Sequence, residues 1–144
     1  MNLQQYITTE EVKRVCRELG IRDWTLLKEA SVPLEEARII QTAVGAEATR
    51  ITVEEFCRGL EVELEHGLQF PDANVTNNHP LLTGKIVLAH LKETLEYYLR
   101  LEVAELEGDM LKALSQGAPP KLAEKFRKLV HARGALSKHE AGQV

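Results

Sequence analysis

Four side chains near the middle of the sequence have the types and spacing of a metal site: Glu63, His66, His90 and Glu93. Each glutamate lies three residues from a histidine, and on an α-helix this spacing places the two side chains on one face. Glu-x-x-His pairs on neighbouring helices hold the metals of ferritin-like di-iron proteins. A mixed carboxylate–imidazole set suits iron, manganese or zinc. We therefore expect these four residues to form a metal site, with Tyr97 behind the ligands.

The same residues also have purely structural explanations. His66 precedes Gly67, and this pair is typical of a helix C-terminus, where glycine takes the left-handed conformation. His90 lies on a partly apolar face, where a core histidine bonded to Glu93 or to a backbone carbonyl is common. Three functions stay open: a metal site for storage or small-molecule oxidation, a non-enzymatic helical interaction module without metal, and a small-ligand pocket between the central helix and the preceding loop.

That loop, residues 70–80, is rich in oxygen-bearing side chains. Asp72, Asn74 and Thr76 resemble the first ligands of a calcium-binding loop. However, Asn77 stands where such a loop needs glycine, and Thr83 stands where it needs a bidentate glutamate. We expect the loop asparagines to bond local backbone and to support the start of the next helix.

The helices that must position these residues have clear start and stop signals. Thr8 and Gly20 bound a first helix, Pro33 and Gly45 a second, and Thr52 caps a third. Residues 10–21 align without gaps on residues 35–46, which indicates either a duplicated helix-turn unit or the shared pattern of capped amphipathic helices.

A long helical pattern then runs from residue 81 to residue 114 and is apolar on two faces, which is typical of a central helix between layers. Gly84 is expected to be a close-packing point between helices. A last helix is expected at about residues 120–132. The pattern predicts an all-α, single-domain helical bundle with a long central helix: a small N-terminal helical subregion at 1–50, a helical core at 51–133 and a disordered tail at 134–144.

Composition and charge limit the partners. Hydrophobic residues make up 44% of the 144 residues, and the formal net charge is −4. Residues 54–109 carry 12 acidic and four basic side chains, a net charge of −8, so we expect no nucleic-acid binding there.

The N-terminus lacks a signal-peptide pattern and no apolar run is long enough to cross a membrane. With Cys16 and Cys57 both on apolar helix faces, we expect buried, reduced thiols and a cytoplasmic location.

Several short motifs in the central segment together resemble an uncharacterised bacterial family, a domain of unknown function. They are VELEHG at 62–67, NVTN at 74–77, TGKI at 83–86, LAHLKE at 88–93 and Tyr97-Tyr98. The resemblance covers about residues 50–103. It implies that the Glu-His-Gly and His-x-x-Glu segments belong to one unit, and it names no activity. Because a di-iron site draws on four helices, we also expect a homo-oligomer.

Overall fold

The computed structural model describes residues 4–46 and 50–144, and every regular element within them is helical. The all-α prediction is confirmed. The six α-helices in these residues are α1 (Thr9–Leu19), α2 (Leu34–Ala43), α3 (Val53–Gln69), α4 (Pro80–Glu93), α5 (Tyr97–Ser115) and α6 (Pro119–Ala141), with 3-10 turns at Trp24–Leu26 and Pro71–Ala73. None of the helices in this described part of the chain is long and apolar enough to cross a membrane.

The predicted helix ends are confirmed at most positions. The Thr8 side chain accepts a hydrogen bond from the Glu11 N–H, and Gly20 ends α1 with a φ of 68°. Thr52 and Glu55 form a reciprocal capping box at the start of α3. Gly45 follows α2 with a φ of 76°. These positive φ values are strained for residues with a Cβ, which explains glycine at both helix ends.

The helices form two compact units, Met1–Leu95 and Glu96–Val144. In the first unit, α3 packs against α2 and α4. Its largest fully buried side chains are Val12, Cys16, Trp24, Ile40, Phe56, Leu60, Leu64, Pro80 and Val87. Gly84 permits the approach of α4 to α2, because a Cβ there would lie 2.8 Å from Ile40 Cγ2 and 3.1 Å from Val44 Cγ1. The prediction of a close-packing glycine is confirmed.

The two cysteines are free and buried in the first unit, as the sequence indicates. Burial raises the pKa of the Cys16 thiol, and burial followed by the nearby Glu61 carboxylate raises the pKa of Cys57 to about 11. Both thiols are therefore protonated at neutral pH, and they behave as small apolar core groups.

The expectation of one continuous helix from residue 81 to residue 114 is wrong, because the helix is interrupted between Glu93 and Tyr97. Thr94 has extended backbone angles, φ −157° and ψ 134°. β-branched threonine favours this conformation. The next carboxylate, Glu96, is buried and accepts hydrogen bonds from Arg100 at 2.9 Å and Gln143 at 3.0 Å within the second unit. These bonds fix the start of α5, and the sequence pattern missed the break because neither glycine nor proline marks it.

The second unit is a hairpin of α5 and α6. Its buried cluster consists of Leu106, Leu129 and Ala132, with Val103 and Met110 packed against it. The last helix is longer than expected: α6 continues to Ala141, so most of the segment 134–144 is helical rather than disordered. The bonds from Gln143 to Glu96 and the ion pair between Arg100 and Glu140 hold this end of α6 against the start of α5.

Candidate ligand cavity

A cavity of about 130 Å³ lies between α3, the loop after it and α4, all in the first unit. Eight residues line it: Glu63, His66, Ala73, Asn74, Val75, Thr76, Thr83 and Ile86. Its walls carry a carboxylate, an imidazole, an amide and two hydroxyl groups beside three apolar side chains. This mixture can hold a small polar ligand in one orientation.

The acidic group of the cavity is paired with a histidine from the next helix. Glu63 Oε1 of α3 lies 3.2 Å from His90 Nδ1 of α4, and the two side chains are 16% and 29% exposed. The sequence-based expectation that α3 and α4 are neighbours and bring these residues together is met for this pair. The contact fixes the carboxylate at the edge of the cavity, where solvent screening is reduced.

The Glu-x-x-His spacing in α3 places Glu63 and His66 on the wall of the same cavity. Glu65, between them, is exposed. The neighbouring Glu61 has a structural role that the sequence did not indicate, because its Oε1 accepts the backbone N–H of Val32 at 3.0 Å. This bond ties α3 to the segment before α2. Only one of the three glutamates in this stretch therefore faces the cavity.

The interpretation of Gly67 as a helix end is wrong, since α3 continues to Gln69. Gly67 is instead the docking point of the loop. A Cβ at this position would lie 2.1 Å from Asn78 Oδ1 and 2.9 Å from Asn74 Nδ2. Asn74 Nδ2 donates to the Gly67 carbonyl at 3.2 Å and to Asn78 Oδ1 at 2.8 Å. Because Gly67 has no side chain, these two asparagines can approach the backbone of α3.

The rest of the loop is held by its own side chains and by α1. Thr76 Oγ1 donates to Asn74 Oδ1 at 3.2 Å, which orients two residues of the cavity wall. Asn77 Nδ2 donates to the Ile7 carbonyl at 3.2 Å. Asn77 and Asn78 have φ values of 49° and 55°, a conformation that asparagine tolerates better than most residues. The prediction that the loop asparagines bond local backbone is wrong for Asn77, whose carbonyl partner lies 70 residues away, while Asn74 bonds the Gly67 carbonyl of the preceding helix.

The start of α4 depends on His79, a residue that the sequence interpretation did not single out. Its Nδ1 accepts the Leu82 N–H at 3.4 Å, as an N-cap side chain does. His79 is buried, and its Nε2 lies 4.0 Å from Glu11 Oε1 of α1. Burial lowers the pKa of His79, against a smaller raising effect of Glu11. Proline is favoured at the first position of a helix, so Pro80 could have identified His79 as the N-cap residue.

The TGKI segment of α4 is divided between the cavity and the core. Thr83 is buried and lines the cavity, as does Ile86. Lys85 Nζ donates to the Val44 carbonyl at 3.0 Å and so satisfies a C-terminal carbonyl of α2. The segment therefore has structural and cavity-lining roles.

The remaining predicted site residues lie elsewhere. Glu93 is exposed in the last turn of α4 and is not among the residues that line the cavity. Tyr97 belongs to α5, after the break, and its ring meets that of Tyr98 edge-on at 5.2 Å. The residues that the structure describes contain no group of three or more His, Cys, Asp or Glu placed to share a metal ion. The four-ligand site stays a prediction.

Fold and cavity together define an all-helical protein with a small polar cavity at a helix–loop–helix junction. The chain belongs to a family described as protein of unknown function, DUF5661, whose model matches residues 12–107. The match confirms the expected membership of an uncharacterised family, and it spans every residue of the cavity. Searches of curated proteins and of solved structures give no match.

Proposed function

We propose that this protein binds a small cation in the cavity, with Glu63 as its charge partner. The observation that carries this proposal is the position of the Glu63 carboxylate, largely buried and held by His90, on the wall of the cavity. A carboxylate in such a place has lost part of its hydration, and a cation restores favourable interactions. Asn74, Thr76 and Thr83 supply further oxygen atoms that can accept hydrogen bonds or contact a metal.

Charge and size both favour a small cation over an anion or a large metabolite. The eight lining residues, all within the described chain, include one carboxylate and neither lysine nor arginine. Residues 54–95 carry seven acidic and three basic side chains, a net charge of −4. A volume of about 130 Å³ has room for an ion with a few waters or for an amine of a few heavy atoms.

Two kinds of cation share this chemistry, a transition-metal ion and a small organic ammonium ion. A carboxylate and an imidazole on one wall suit iron, manganese or zinc, with water completing the coordination of Glu63 and His66. An ammonium ion would donate hydrogen bonds to Glu63 and to the loop oxygens. The role of His66 separates the two, because it is a ligand in the first case and a lining residue in the second.

Calorimetry and thermal unfolding of protein without a histidine tag, freed of metal with EDTA, test the proposal. The probes are zinc, manganese and anaerobic ferrous ions in one arm, and methylammonium and ethylammonium in the other. We expect saturable 1:1 binding in one arm. At 100 times the dissociation constant, binding stabilises the fold by about 2.7 kcal/mol, which raises Tm by about 5 °C or more.

Three variants assign the binding to the cavity. Glu63→Gln keeps the size of the side chain and one acceptor oxygen but removes the charge, and we expect it to weaken binding at least tenfold. Glu65→Gln makes the same change at the exposed position on the same helix, so its affinity should stay within twofold of the wild type. His66→Gln should weaken metal binding tenfold but ammonium binding little. Equal binding by Glu63→Gln and wild-type protein, or no response to any probe, contradicts the proposal.

The non-enzymatic interaction module is the alternative, in which the same polar residues only hold the loop. It predicts that Glu63→Ala and His90→Ala lower the free energy of unfolding, because each removes one partner of the contact between α3 and α4. It also predicts no probe-dependent change in Tm for the wild type. Measuring stability and binding on the same samples therefore distinguishes the two functions.

A further inference from the structure

The hairpin of α5 and α6 leaves four large apolar side chains in solvent. Leu111 and Leu114 of α5 are 68% and 64% exposed, and Phe126 and Val130 of α6 are 51% and 52% exposed. The buried cluster of this unit, Leu106, Leu129 and Ala132, has Val103 and Met110 packed against it. Each exposed pair is spaced by three or four residues, so each lies along one side of its helix.

An ion pair shows that both apolar pairs lie on the same flank of the hairpin. Arg133 Nη2 of α6 lies 2.9 Å from Glu107 Oε1 of α5. Glu107 precedes Leu111 by four residues, and Arg133 follows Val130 by three, so each charged residue shares the helix side of its apolar neighbour. We call the surface formed by Leu111, Leu114, Phe126 and Val130 the apolar flank.

The other flank of the hairpin is charged. Lys125 Nζ lies 2.7 Å from Asp109 Oδ2 there. Asp109 is two residues from Leu111, about 200° around the helix, so this ion pair lies on the side away from the apolar flank. Because only one flank is apolar, a single partner surface would cover it.

We propose that the apolar flank is the contact surface of a homodimer, in which a second copy of this chain completes a four-helix bundle. The charges of the two helices favour this partner. Helix α5 carries four acidic and two basic residues, whereas α6 carries six lysines or arginines and two glutamates. A two-fold axis running along the helices places α5 of one copy over α6 of the other, so acidic and basic helices face each other twice.

The size of the hairpin face that carries the apolar flank fits a reversible dimer. Helix α5 has 19 residues and is about 28 Å long, and two helices side by side are about 20 Å wide. Two such faces bury about 1,100 Å² in total, which is near the lower limit for a specific interface. We therefore expect a dissociation constant in the micromolar range. The inference does not depend on cation binding in the cavity of the first unit.

Sedimentation velocity of the full chain between about 1 and 300 µM tests the dimer. The double variant Leu111→Gln/Phe126→Gln removes apolar area without changing charge, and we expect it to raise the dissociation constant at least tenfold. Val130→Gln should raise it by a smaller factor. Leu26→Gln is the matched control, because Leu26 is 72% exposed but lies in the first unit.

Far-UV circular dichroism checks that the variants keep their helices, as expected for side chains more than half exposed. Dimerisation by the wild type, lost in the double variant and kept in Leu26→Gln, supports the inference. A wild-type chain that stays monomeric at 300 µM overturns it. A dimer whose dissociation constant changes less than threefold in the double variant overturns it as well, because the contact would then lie elsewhere.

Discussion

The two units differ in what happens to their polar groups. The first unit buries Glu36, Gln41, His79 and Thr83, and the first two of these bond residues 14 and 10 positions away. In the second unit, where the structure describes all of residues 96–144, Glu96 is the single buried polar residue, the ion pairs of Asp109 with Lys125 and of Glu107 with Arg133 lie at the surface, and the buried cluster is small. Buried polar contacts specify one arrangement, because a misplaced partner leaves an unsatisfied group. The unit with the cavity is therefore the more precisely specified of the two.

The largest expected effect comes from the buried carboxylate Glu36. Its oxygens accept hydrogen bonds from the backbone N–H and the guanidinium of Arg22 and from Trp24 Nε1. Burial raises the pKa of Glu36, but the bonds from Arg22 and Trp24 more than offset this, so the pKa is lowered overall. Glu36→Gln removes the charge that Arg22 faces, and we expect it to lower the free energy of unfolding by about 2 kcal/mol.

Asp109→Asn makes the equivalent change in the second unit. The side chains of Asp109 and Lys125 are 37% and 33% exposed, so solvent screens their interaction. We expect a loss of about 0.5 kcal/mol. Urea unfolding followed by fluorescence of Trp24, the single tryptophan, reports the first unit, and hydrogen exchange reports both. Equal effects in the two units would remove the proposed difference between them.

The glycines allow a second comparison of the units. Gly67→Ala forces Asn78 and Asn74 away from α3, and we expect a net loss of about 1–2 kcal/mol after the helix-propensity gain of alanine is counted. Gly108 in α5 has no atom within 4 Å of an added Cβ, so Gly108→Ala should stabilise by up to about 1 kcal/mol. Urea unfolding measures both. A stabilising Gly67→Ala would show that the loop does not dock as described.

The same difference explains what the sequence could predict. Helix caps such as Thr8, Thr52 and Gly20 depend on residues within one turn, and their predictions are confirmed. Gly67 was misinterpreted because glycine is needed there for the close approach of Asn74 and Asn78, which follow it by seven and eleven residues. The break before Tyr97 was missed because neither glycine nor proline marks it, and one of the bonds that fix Glu96 comes from Gln143, 47 positions away. Local signals were sufficient for the capped helix ends, but not for features that depend on contacts between residues far apart in the sequence.

The candidate site follows this rule too. The Glu-x-x-His spacing correctly placed Glu63 and His66 on one helix side, and the α3–α4 connection correctly brought Glu63 to His90. The same spacing did not bring Glu93 to the cavity, because it fixes only which residues share a side of α4 and not how that side faces α3. Periodicity therefore predicted the members of a helix face, whereas the rotation of the helix depended on packing around residues such as Gly84.

The stability of the first unit is also expected to depend on pH. His79 must be neutral at Nδ1 to accept the Leu82 N–H, and its surroundings are the Glu11 carboxylate and the more distant Arg14 guanidinium, both of α1. Its pKa in the fold lies below its ordinary value of about 6.5. As pH falls below about 6.5, the unfolded chain binds this proton more readily than the folded one, so the free energy of unfolding decreases.

We expect His79 to lower the free energy of unfolding between pH 7.5 and pH 5.5 by less than about 1.4 kcal/mol, because one proton bound only by the unfolded chain is worth at most this much per pH unit. His79→Asn keeps an N-cap acceptor that does not titrate in this range, and it should flatten this part of the pH profile of urea unfolding. His131→Gln changes an exposed histidine of α6 and should leave the profile unchanged. If both variants flatten it equally, the pH dependence does not arise from the cap of α4, and the two units would respond alike to acid.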